Sequence, residues 1–371
     1  MNASVARAGG QHTYASFGDE GLQRLWWALR GEQCPTSVRE RFAWMLAPWG
    51  DRLLPRRAAW RSDIGDDHSP FELSVVFSAE GSEVRLLVEA QGEEPTLHST
   101  TAAALRLTDA LATRGANLKR FHKVSDLFLD VDDDALFSLW HATSLEGDGT
   151  FKAYFNPRGS KKQDSIERSL LAFDRLGMVH ARAIVEQARR SERNHATGFL
   201  DQARYFCLDL IDPAEARAKI YLYQPGAHVD HFETLAQLAP VYRQGEATAF
   251  CEELLHSRGP YIAHPLCTYL AFTSGVPYAT EVTMQLPVRF YCDNDETARQ
   301  RTSALFRVLG LDPAPFEAAL RAIAHRPLEQ GSGIVTHVSL RLGDSAPRIA
   351  VYFAVEAFHK SRPISGLRRV G

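Results

Sequence analysis

Five strand-like segments recur along this 371-residue chain at nearly constant intervals. Each segment carries a basic residue near its start, and successive basic residues lie 67, 67, 70 and 59 positions apart. A near-constant interval indicates an internal repeat, which restricts the chain to folds that use one unit several times. The basic residues are Arg85, Lys152, Lys219, Arg289 and Arg348, in the segments 84–90, 151–157, 217–225, 288–292 and 348–355.

A second strand-like segment precedes each of these five, so each repeat predicts an antiparallel hairpin. The preceding segments are 72–78, 137–145, 204–210, 267–274 running on towards Thr280, and 334–342. Turn-forming residues separate the two halves of a hairpin, as at 79–82 and 146–149. Helical patterns lie between hairpins at 101–115, 164–190, 297–310 and in a second short segment that ends at His325.

Alternation of hairpins and helices predicts an α+β fold. Its simplest form is a ten-stranded antiparallel β-barrel built from five ββα-type repeats and surrounded by an outer ring of α-helices. We expect one barrel domain over residues 20–358, a flexible N-terminus over 1–19 and a C-terminal tail over 359–371.

Composition and charge restrict the function classes. Hydrophobic residues make up 45% of the chain and charged residues 23%, which is typical of a globular protein with a large core. The formal net charge is −3 and no basic run occurs, so we expect no nucleic-acid partner. Neither a long apolar stretch nor a Cys-x-x-Cys pair is present, so the sequence predicts no membrane partner, a cytoplasmic location and no zinc or redox centre.

The strands carry their polar residues on one side. Alternate residues of a strand share a face, so Lys152 and Tyr154 lie together, opposite Phe151 and Phe155. If helices cover the apolar face, the basic and phenolic side chains must line the inside of the barrel. Several like charges around one cavity repel each other and lose hydration, a cost that a bound polyanion such as diphosphate would offset.

These motifs resemble those of the aromatic prenyltransferases of the dimethylallyl-tryptophan synthase family. The resemblance extends over about residues 20–358 and depends on Pro70-Phe71-Glu72, which opens the first hairpin, and on four pairs of a cation and a tyrosine: Lys152-x-Tyr154, Lys219-x-Tyr221, Arg289-x-Tyr291 and Arg348-x-x-x-Tyr352. It is closest to the compact bacterial members. Proteins of this family have the ten-stranded barrel with an outer helical ring known as the ABBA fold.

The resemblance implies a metal-independent transfer of a dimethylallyl group from dimethylallyl diphosphate, a co-substrate, to the indole ring of L-tryptophan or a tryptophan derivative. No cofactor is implied. Glu72 would be the catalytic residue that accepts a hydrogen bond from the indole N–H. The residues implied to bind diphosphate are Arg85, Lys152, Arg217, Lys219, Arg289 and Arg348. A shield around the allylic carbon would be formed by Tyr154, Tyr221, Tyr291 and Tyr352.

Other interpretations of the sequence stay open. Asp130-Val131-Asp132-Asp133-Asp134 could hold magnesium as in the helical prenyl synthases, but its position before a strand favours a solvated acidic turn. A non-catalytic barrel that binds a phosphorylated ligand would also need cations in its lumen. The acceptor could instead be tyrosine, a phenol, a naphthalene or a cyclic dipeptide. His141, beside a tryptophan, is a candidate base or a structural residue.

Overall fold

The computed structural model describes residues 12–193, 202–344 and 346–358. Within them, ten antiparallel strands close into a barrel in which each strand pairs with its neighbours in sequence and β1 pairs with β10. The predicted barrel is therefore confirmed. The strands are β1 (Phe71–Ser78), β2 (Gly81–Val88), β3 (Leu139–Ser144), β4 (Phe151–Phe155), β5 (Gln202–Asp209), β6 (Arg217–Gln224), β7 (Leu266–Thr273), β8 (Glu281–Leu286), β9 (Val335–Arg341) and β10 (Ile349–Ala354).

Two α-helices precede each of the five hairpins in the described part of the chain, so the repeating unit is two helices followed by two strands. The predicted ββα-type repeat contained fewer helices than the structure has. The helices are α1 (Tyr14–Arg30), α2 (Thr36–Leu46), α3 (Leu97–Ala112), α4 (Lys119–Leu129), α5 (Ser165–Arg175), α6 (Val179–Arg193), α7 (Val229–Ala236), α8 (Glu246–Leu255), α9 (Asp295–Val308) and α10 (Ala314–Ile323).

One predicted helix is two helices in the structure. The helix expected over 164–190 is interrupted after α5, where Gly177 adopts a left-handed conformation with φ of +72°. Glycine reaches this region without steric cost, so the chain turns between α5 and α6. Asp164 caps α5 as its sequence predicts, since its side chain accepts hydrogen bonds from the backbone N–H groups of Ile166 and Glu167.

The apolar faces of the strands point outward and pack on the helices. Phe155 of β4 and Phe206 of β5 stack on Phe128 of α4, with ring centroids 5.0 and 5.2 Å away. On the opposite wall, Phe77 of β1 contacts Phe306 of α9 at 5.3 Å. These rings are buried between sheet and helices. The hydrophobic core is therefore a shell around the barrel, and the lumen is left to the polar face.

The fourth hairpin differs from its prediction. Residues 288–292 were expected to be a strand, but Val288–Phe290 form a 3-10 turn, and the strand is β8, which ends at Leu286. Pro287 follows β8 directly and has no N–H to continue the ladder, so the strand stops there. The basic residue Arg289 is consequently outside the barrel wall and is not equivalent to the anchors of the other repeats.

The ends of the predicted domain also differ from the structure. Helix α1 begins at Tyr14, within the segment that the sequence assigned to a flexible N-terminus. Residues 1–11 and the predicted tail 359–371 lie outside the described residues. Among the helices of the described ranges, none combines the length and apolarity needed to cross a bilayer.

Candidate active site

The lumen of the barrel has two ends, and the register of β1 with β2 relates them. Glu72 and Ser74 follow each other on the inner face of β1, and Ser74 lies opposite Arg85 of β2. Two residues along a strand correspond to about 7 Å. The carboxylate of Glu72 and the guanidinium of Arg85 therefore start from neighbouring positions on one wall, with Glu72 towards one end and Arg85 towards the other.

Basic residues cluster at the Arg85 end, where Glu281 of β8 is their main counterion. Its carboxylate lies 2.8 Å from Arg217, 3.0 Å from Arg341 and 3.6 Å from Lys219. Arg217 also contacts Asp209 of β5 at 2.7 Å. Strands β5, β6, β8 and β9 thus contribute charged side chains to one network.

The second part of the cluster lies on β2, on β4 and at Arg348, directly before β10. Glu83 binds Arg85 at 2.7 Å and lies 3.9 Å from Arg348, whose side chain is 41% exposed at the rim. Lys152 of β4 has no hydrogen-bond or salt-bridge partner among the described residues, although Arg85 and Lys219 are close enough to affect its charge. The Lys152 ammonium is therefore available to a ligand.

The charges of this cluster do not balance. Six cations face four carboxylates, so the cluster has an excess of about two positive charges. The cations are Arg85, Lys152, Arg217, Lys219, Arg341 and Arg348, and the carboxylates are Glu83, Asp209, Glu281 and Asp344. A dianionic group of matching size would neutralise this excess.

Electrostatics within the cluster follow from burial and like charge. Burial, together with Arg85 and Lys219, lowers the pKa of Lys152 to about 8. Burial alone would raise the pKa of Glu281, but Lys219, Arg341 and Arg217 outweigh it and hold that pKa below its ordinary value. Glu281 is therefore ionised at neutral pH, whereas Lys152 is the cation that is easiest to discharge.

Tyrosines form a layer across the middle of the lumen. Tyr154 and Tyr221 have hydroxyl oxygens 3.4 Å apart, and the rings of Tyr221 and Tyr269 lie 4.6 Å apart. Tyr205 packs edge-on against Tyr221 at 5.5 Å. Burial raises the pKa of each of these phenols, so they stay neutral and present ring faces and O–H donors to the lumen.

Tyr352 of β10 connects the tyrosine layer with Glu72. It lies opposite Ser74 in the register, and its phenol is close enough to both Arg85 and Glu72 to respond to their charges. Burial remains the main reason why the pKa of Tyr352 is raised. A ligand that reached from the cation cluster towards Glu72 would therefore pass the ring of Tyr352.

Glu72 is buried, with 6% of the residue exposed. Thr336, at an irregularity in the β9–β10 pairing, donates a hydrogen bond of 2.9 Å to its carboxylate. Burial raises the pKa of Glu72 to about 7, although Thr336 and Arg289 act in the opposite direction. A carboxylate with a single donor has lone pairs left for another one, such as a ring N–H.

At the Glu72 end, the loop between α2 and β1 supplies an aspartate to each of two arginines, Arg289 and Arg204. Arg289 lies 3.3 Å from Asp66, and Arg204 of β5 forms a salt bridge with Asp63. Both arginines are close enough to His337 to lower its pKa, which burial depresses most strongly. In contrast to the opposite end, these four charges balance.

Two residues that the sequence predicted for the site, Arg289 and Tyr291, lie elsewhere in the structure. Arg289 does not join the cation cluster, since its charged neighbours are Asp66 and Glu72. Tyr291 is not part of the tyrosine layer, because its hydroxyl donates to the carbonyl of His264 at 2.5 Å and its ring packs on Tyr261. Both errors follow from the missing strand at 288–292.

The surroundings of His141 and of the acidic run 130–134 decide between the alternatives that the sequence left open for them. His141 lies on the outer face of β3, where its Nε2 is 2.8 Å from the hydroxyl of Thr108 on α3, so it is a structural residue. Burial lowers the pKa of His141 to about 3. The acidic run is a solvated turn after α4, in which Asp130 and Asp134 bind exposed Lys162 and Lys161.

Sequence reasoning missed several residues of the lumen. Arg341 lies at the end of its strand, whereas the basic residues that define the repeat lie near the starts of their segments. The signal was present, because His337, Ser339 and Arg341 alternate along one face. The sequence prediction put Arg204 at the start of a strand and gave this residue no functional role. In the described ranges, no group of three or more histidine, cysteine or acidic residues is arranged to hold a metal ion.

Comparison with known proteins gives matches along most of the chain. The model of the tryptophan dimethylallyltransferase family matches residues 45–317. The crystal structure of 6-dimethylallyltryptophan synthase from Micromonospora olivasterospora, in complex with DMASPP and Trp, is 31% identical with a TM-score of 0.84, covering 95% of this chain and 99% of that one. The 5-dimethylallyltryptophan synthase from Streptomyces coelicolor is 25% identical with a TM-score of 0.80, covering 94% and 99%.

One curated relative is named for a different acceptor, L-tyrosine. The 4-O-dimethylallyl-L-tyrosine synthase of Claviceps purpurea is 25% identical in an alignment 352 residues long, which covers 83% of this chain and 79% of the relative. The barrel, its polar lumen and these matches agree with the resemblance identified from the sequence. The chain belongs to the tryptophan dimethylallyltransferase family of aromatic prenyltransferases.

Proposed function

We propose that this protein transfers a dimethylallyl group from dimethylallyl diphosphate to the indole ring of L-tryptophan or a tryptophan derivative by electrophilic aromatic substitution. The arrangement of the lumen carries the proposal: a cation cluster lies at one end, Glu72 lies towards the other, and neutral tyrosines lie between them. Each of the three zones matches one part of this reaction.

The cation cluster would bind the diphosphate. Lys152, Lys219 and Arg341 face the lumen from three strands, and the excess of about two positive charges would neutralise most of the charge of an allylic diphosphate at neutral pH. As the C–O bond of the donor ionises, negative charge grows on the leaving diphosphate. Cations already in place stabilise that charge without reorganisation.

The tyrosine layer would stabilise the other product of ionisation, the allylic cation. Tyr154, Tyr221 and Tyr352 are members of the predicted shield that the structure brings to the lumen, and Tyr205, Tyr223 and Tyr269 extend it. Ring faces attract positive charge, and a layer of rings also excludes the water that would hydrolyse the cation.

Glu72 would position and activate the acceptor. An ionised carboxylate that accepts the indole N–H increases the electron density of the ring and fixes the ring relative to the allylic carbon. Arg204, with the rings of Tyr205 and Tyr223 5.3 and 5.7 Å away, is placed to bind the carboxylate of an amino-acid acceptor. The two substrates would thus meet at the tyrosine layer.

Metal independence is part of the proposal. The cluster supplies the positive charge that ionisation of the donor requires, so the chain's own side chains would perform the task that magnesium performs elsewhere. We place the protein in the cytoplasm, as the sequence predicts, with small-molecule substrates as its partners.

The test is the reaction itself. Purified protein, dimethylallyl diphosphate and L-tryptophan should yield tryptophan that carries one dimethylallyl unit by mass spectrometry, and NMR of the product should place that unit on the indole. The yield should be the same with EDTA. A protein that binds dimethylallyl diphosphate and forms no prenylated indole would be a binding barrel, and activity that EDTA removes and magnesium restores would contradict metal independence.

L-Tyrosine is the second candidate acceptor, because the Claviceps purpurea relative is a 4-O-dimethylallyl-L-tyrosine synthase. A phenol O–H could donate to Glu72 as an indole N–H does. A competition assay with equal concentrations of L-tryptophan and L-tyrosine decides between the two. We expect prenylated tryptophan to dominate, and a dominant O-prenyl tyrosine would reverse the assignment.

A further inference from the structure

The loop before β1 brings two carboxylates to the acceptor end of the lumen. Asp63 and Asp66 are 31% and 21% exposed, while Ile64 between them is buried among the lumen aromatics Phe137 and Trp140. The loop is held in place by Asp67, whose carboxylate accepts hydrogen bonds from Ser69 and from the backbone of Phe358. Asp63 is therefore displayed by a fixed segment, and it retains a solvent-accessible side.

Arg204 is the partner of Asp63 and has one unused donor, its Nε. Its side chain is 9% exposed, and its Nη2 binds the carboxylate of Asp63. Its buried Nε has no hydrogen-bond partner among the described residues. A buried guanidinium nitrogen without an acceptor is costly, so this edge of Arg204 is suited to a ligand oxygen.

An adjacent arginine and aspartate, each with a free edge, are complementary to a zwitterion. The α-carboxylate and α-ammonium of an amino acid are attached to one carbon, so they can contact Arg204 and Asp63 at the same time. The four charges then alternate in sign around a closed ring, and the Arg204–Asp63 pair need not break. We propose that Asp63 binds the α-ammonium group of the acceptor and thereby selects free amino acids over indoles that lack this group.

This inference rests on the proposed function and names a determinant of its acceptor specificity. Asp66 provides the comparison, because it has the same chemistry in the same loop but a different position. It lies 3.3 Å from Arg289 and acts on the charge of Glu72, so it belongs to the side of the site that faces the ring nitrogen. Loss of Asp66 should affect all indoles alike, whereas loss of Asp63 should affect only those with an ammonium group.

The experiment compares three acceptors with three proteins. L-Tryptophan has both charged groups, tryptamine lacks the carboxylate, and indole-3-propionate lacks the ammonium. The proteins are wild type, Asp63→Asn and the control Asp66→Asn. In Asp63→Asn we expect KM for L-tryptophan and for tryptamine to rise about 10- to 100-fold, the usual range for loss of a charge-assisted hydrogen bond. KM for indole-3-propionate and for dimethylallyl diphosphate should change less than about threefold.

In Asp66→Asn, KM for L-tryptophan and KM for indole-3-propionate should change by the same factor. If Asp63→Asn also changed KM for L-tryptophan and KM for indole-3-propionate by the same factor, the proposal would be overturned. Asp63 would then be only a counterion of Arg204. If Asp63→Asn does not fold, the wild type alone decides: it should bind L-tryptophan at least about tenfold more tightly than indole-3-propionate, and equal affinity would contradict the role of Asp63.

Calorimetry separates this inference from the proposed function. Dissociation constants of the same three acceptors give the same comparison without turnover. Discrimination by Asp63 in binding, without any prenyl transfer, would support the ammonium site and contradict the enzyme assignment. Wild-type protein that binds none of the three acceptors would overturn both.

Discussion

Arg341 of β9 contacts Glu281 of β8 at 3.0 Å, across the rim of the cation cluster. Glu281 also neutralises Arg217, and this single carboxylate therefore holds basic side chains from β6 and β9 together. Such a counterion offsets the repulsion among these basic side chains, and a bound diphosphate would take over part of that role.

Removal of this counterion should make stability depend on a bound anion. We expect Glu281→Gln to lower the free energy of unfolding by about 3 kcal/mol, because the cations around it lose their partner inside the barrel. Inorganic pyrophosphate should then raise the melting temperature of the variant more than that of the wild type. An equal shift of both proteins in a thermal melt would mean that Glu281 does not face the anion site.

Lys152 should control the affinity for the donor. We expect Lys152→Ala to raise KM for dimethylallyl diphosphate about 10- to 100-fold and to leave KM for L-tryptophan nearly unchanged, since a charge-assisted contact to phosphate is lost. Tyr291→Phe is the matched control outside the lumen and should leave both constants unchanged. Steady-state kinetics with each substrate varied in turn measures the difference, and unaltered donor kinetics in Lys152→Ala would remove it from the diphosphate site.

Glu72 should control turnover. Glu72→Gln keeps the size of the side chain and removes its charge, so we expect kcat on L-tryptophan to fall about 100-fold while donor affinity is kept. Product formation measures kcat, and calorimetry with inorganic pyrophosphate measures the affinity of the donor site. Parallel losses would indicate a damaged barrel rather than a lost acceptor contact.

The pH profile should have two limbs. The pKa of Glu72 is raised to about 7 by burial, so kcat/KM for L-tryptophan should rise with pH below about 7, as the carboxylate ionises. The pKa of Lys152 is lowered to about 8, so kcat/KM for dimethylallyl diphosphate should fall above about 8, as the ammonium is discharged. The rising limb should vanish in Glu72→Gln, and a limb that persists there belongs to another group.

The buried carboxylate of Glu72, once ionised, should lower the free energy of unfolding at neutral and higher pH. Its pKa in the folded protein is about 7 against an ordinary 4.5, so its contribution to stability is present below about pH 4.5 and is lost as the pH rises through 7. Glutamine does not titrate. We therefore expect Glu72→Gln to gain stability relative to wild type between pH 4 and pH 8, by up to about 3 kcal/mol. Denaturant melts at both pH values test this, and a constant difference would contradict the raised pKa.

Particular residues show what the sequence could predict. Lys152 and Tyr154 were assigned to the lumen because strand alternation is a local property, and a repeated pattern amplifies a weak local signal. Glu281 was missed because β8 has an acidic residue where the other repeats have a basic one, and the nearby Arg289-x-Tyr291 imitates the motif.

Contacts between distant segments lie beyond such reasoning. The bond between Arg204 and Asp63 joins residues 141 positions apart, and Asp63 lies in a loop outside the repeated strands. Their meeting depends on how a loop folds across the end of the barrel, which periodicity does not encode. The excess charge at one end of the lumen and the balanced charges at the other likewise emerge only when the strands are closed.

The most direct test of this account is a crystal structure with L-tryptophan and a donor analogue that cannot ionise. We predict the diphosphate in contact with Lys152, Lys219 and Arg341, the indole N–H within hydrogen-bond distance of Glu72, and the dimethylallyl group among Tyr154, Tyr221 and Tyr352. A diphosphate bound at Arg289, or an indole nitrogen turned away from Glu72, would contradict the assignment of the two ends of the lumen.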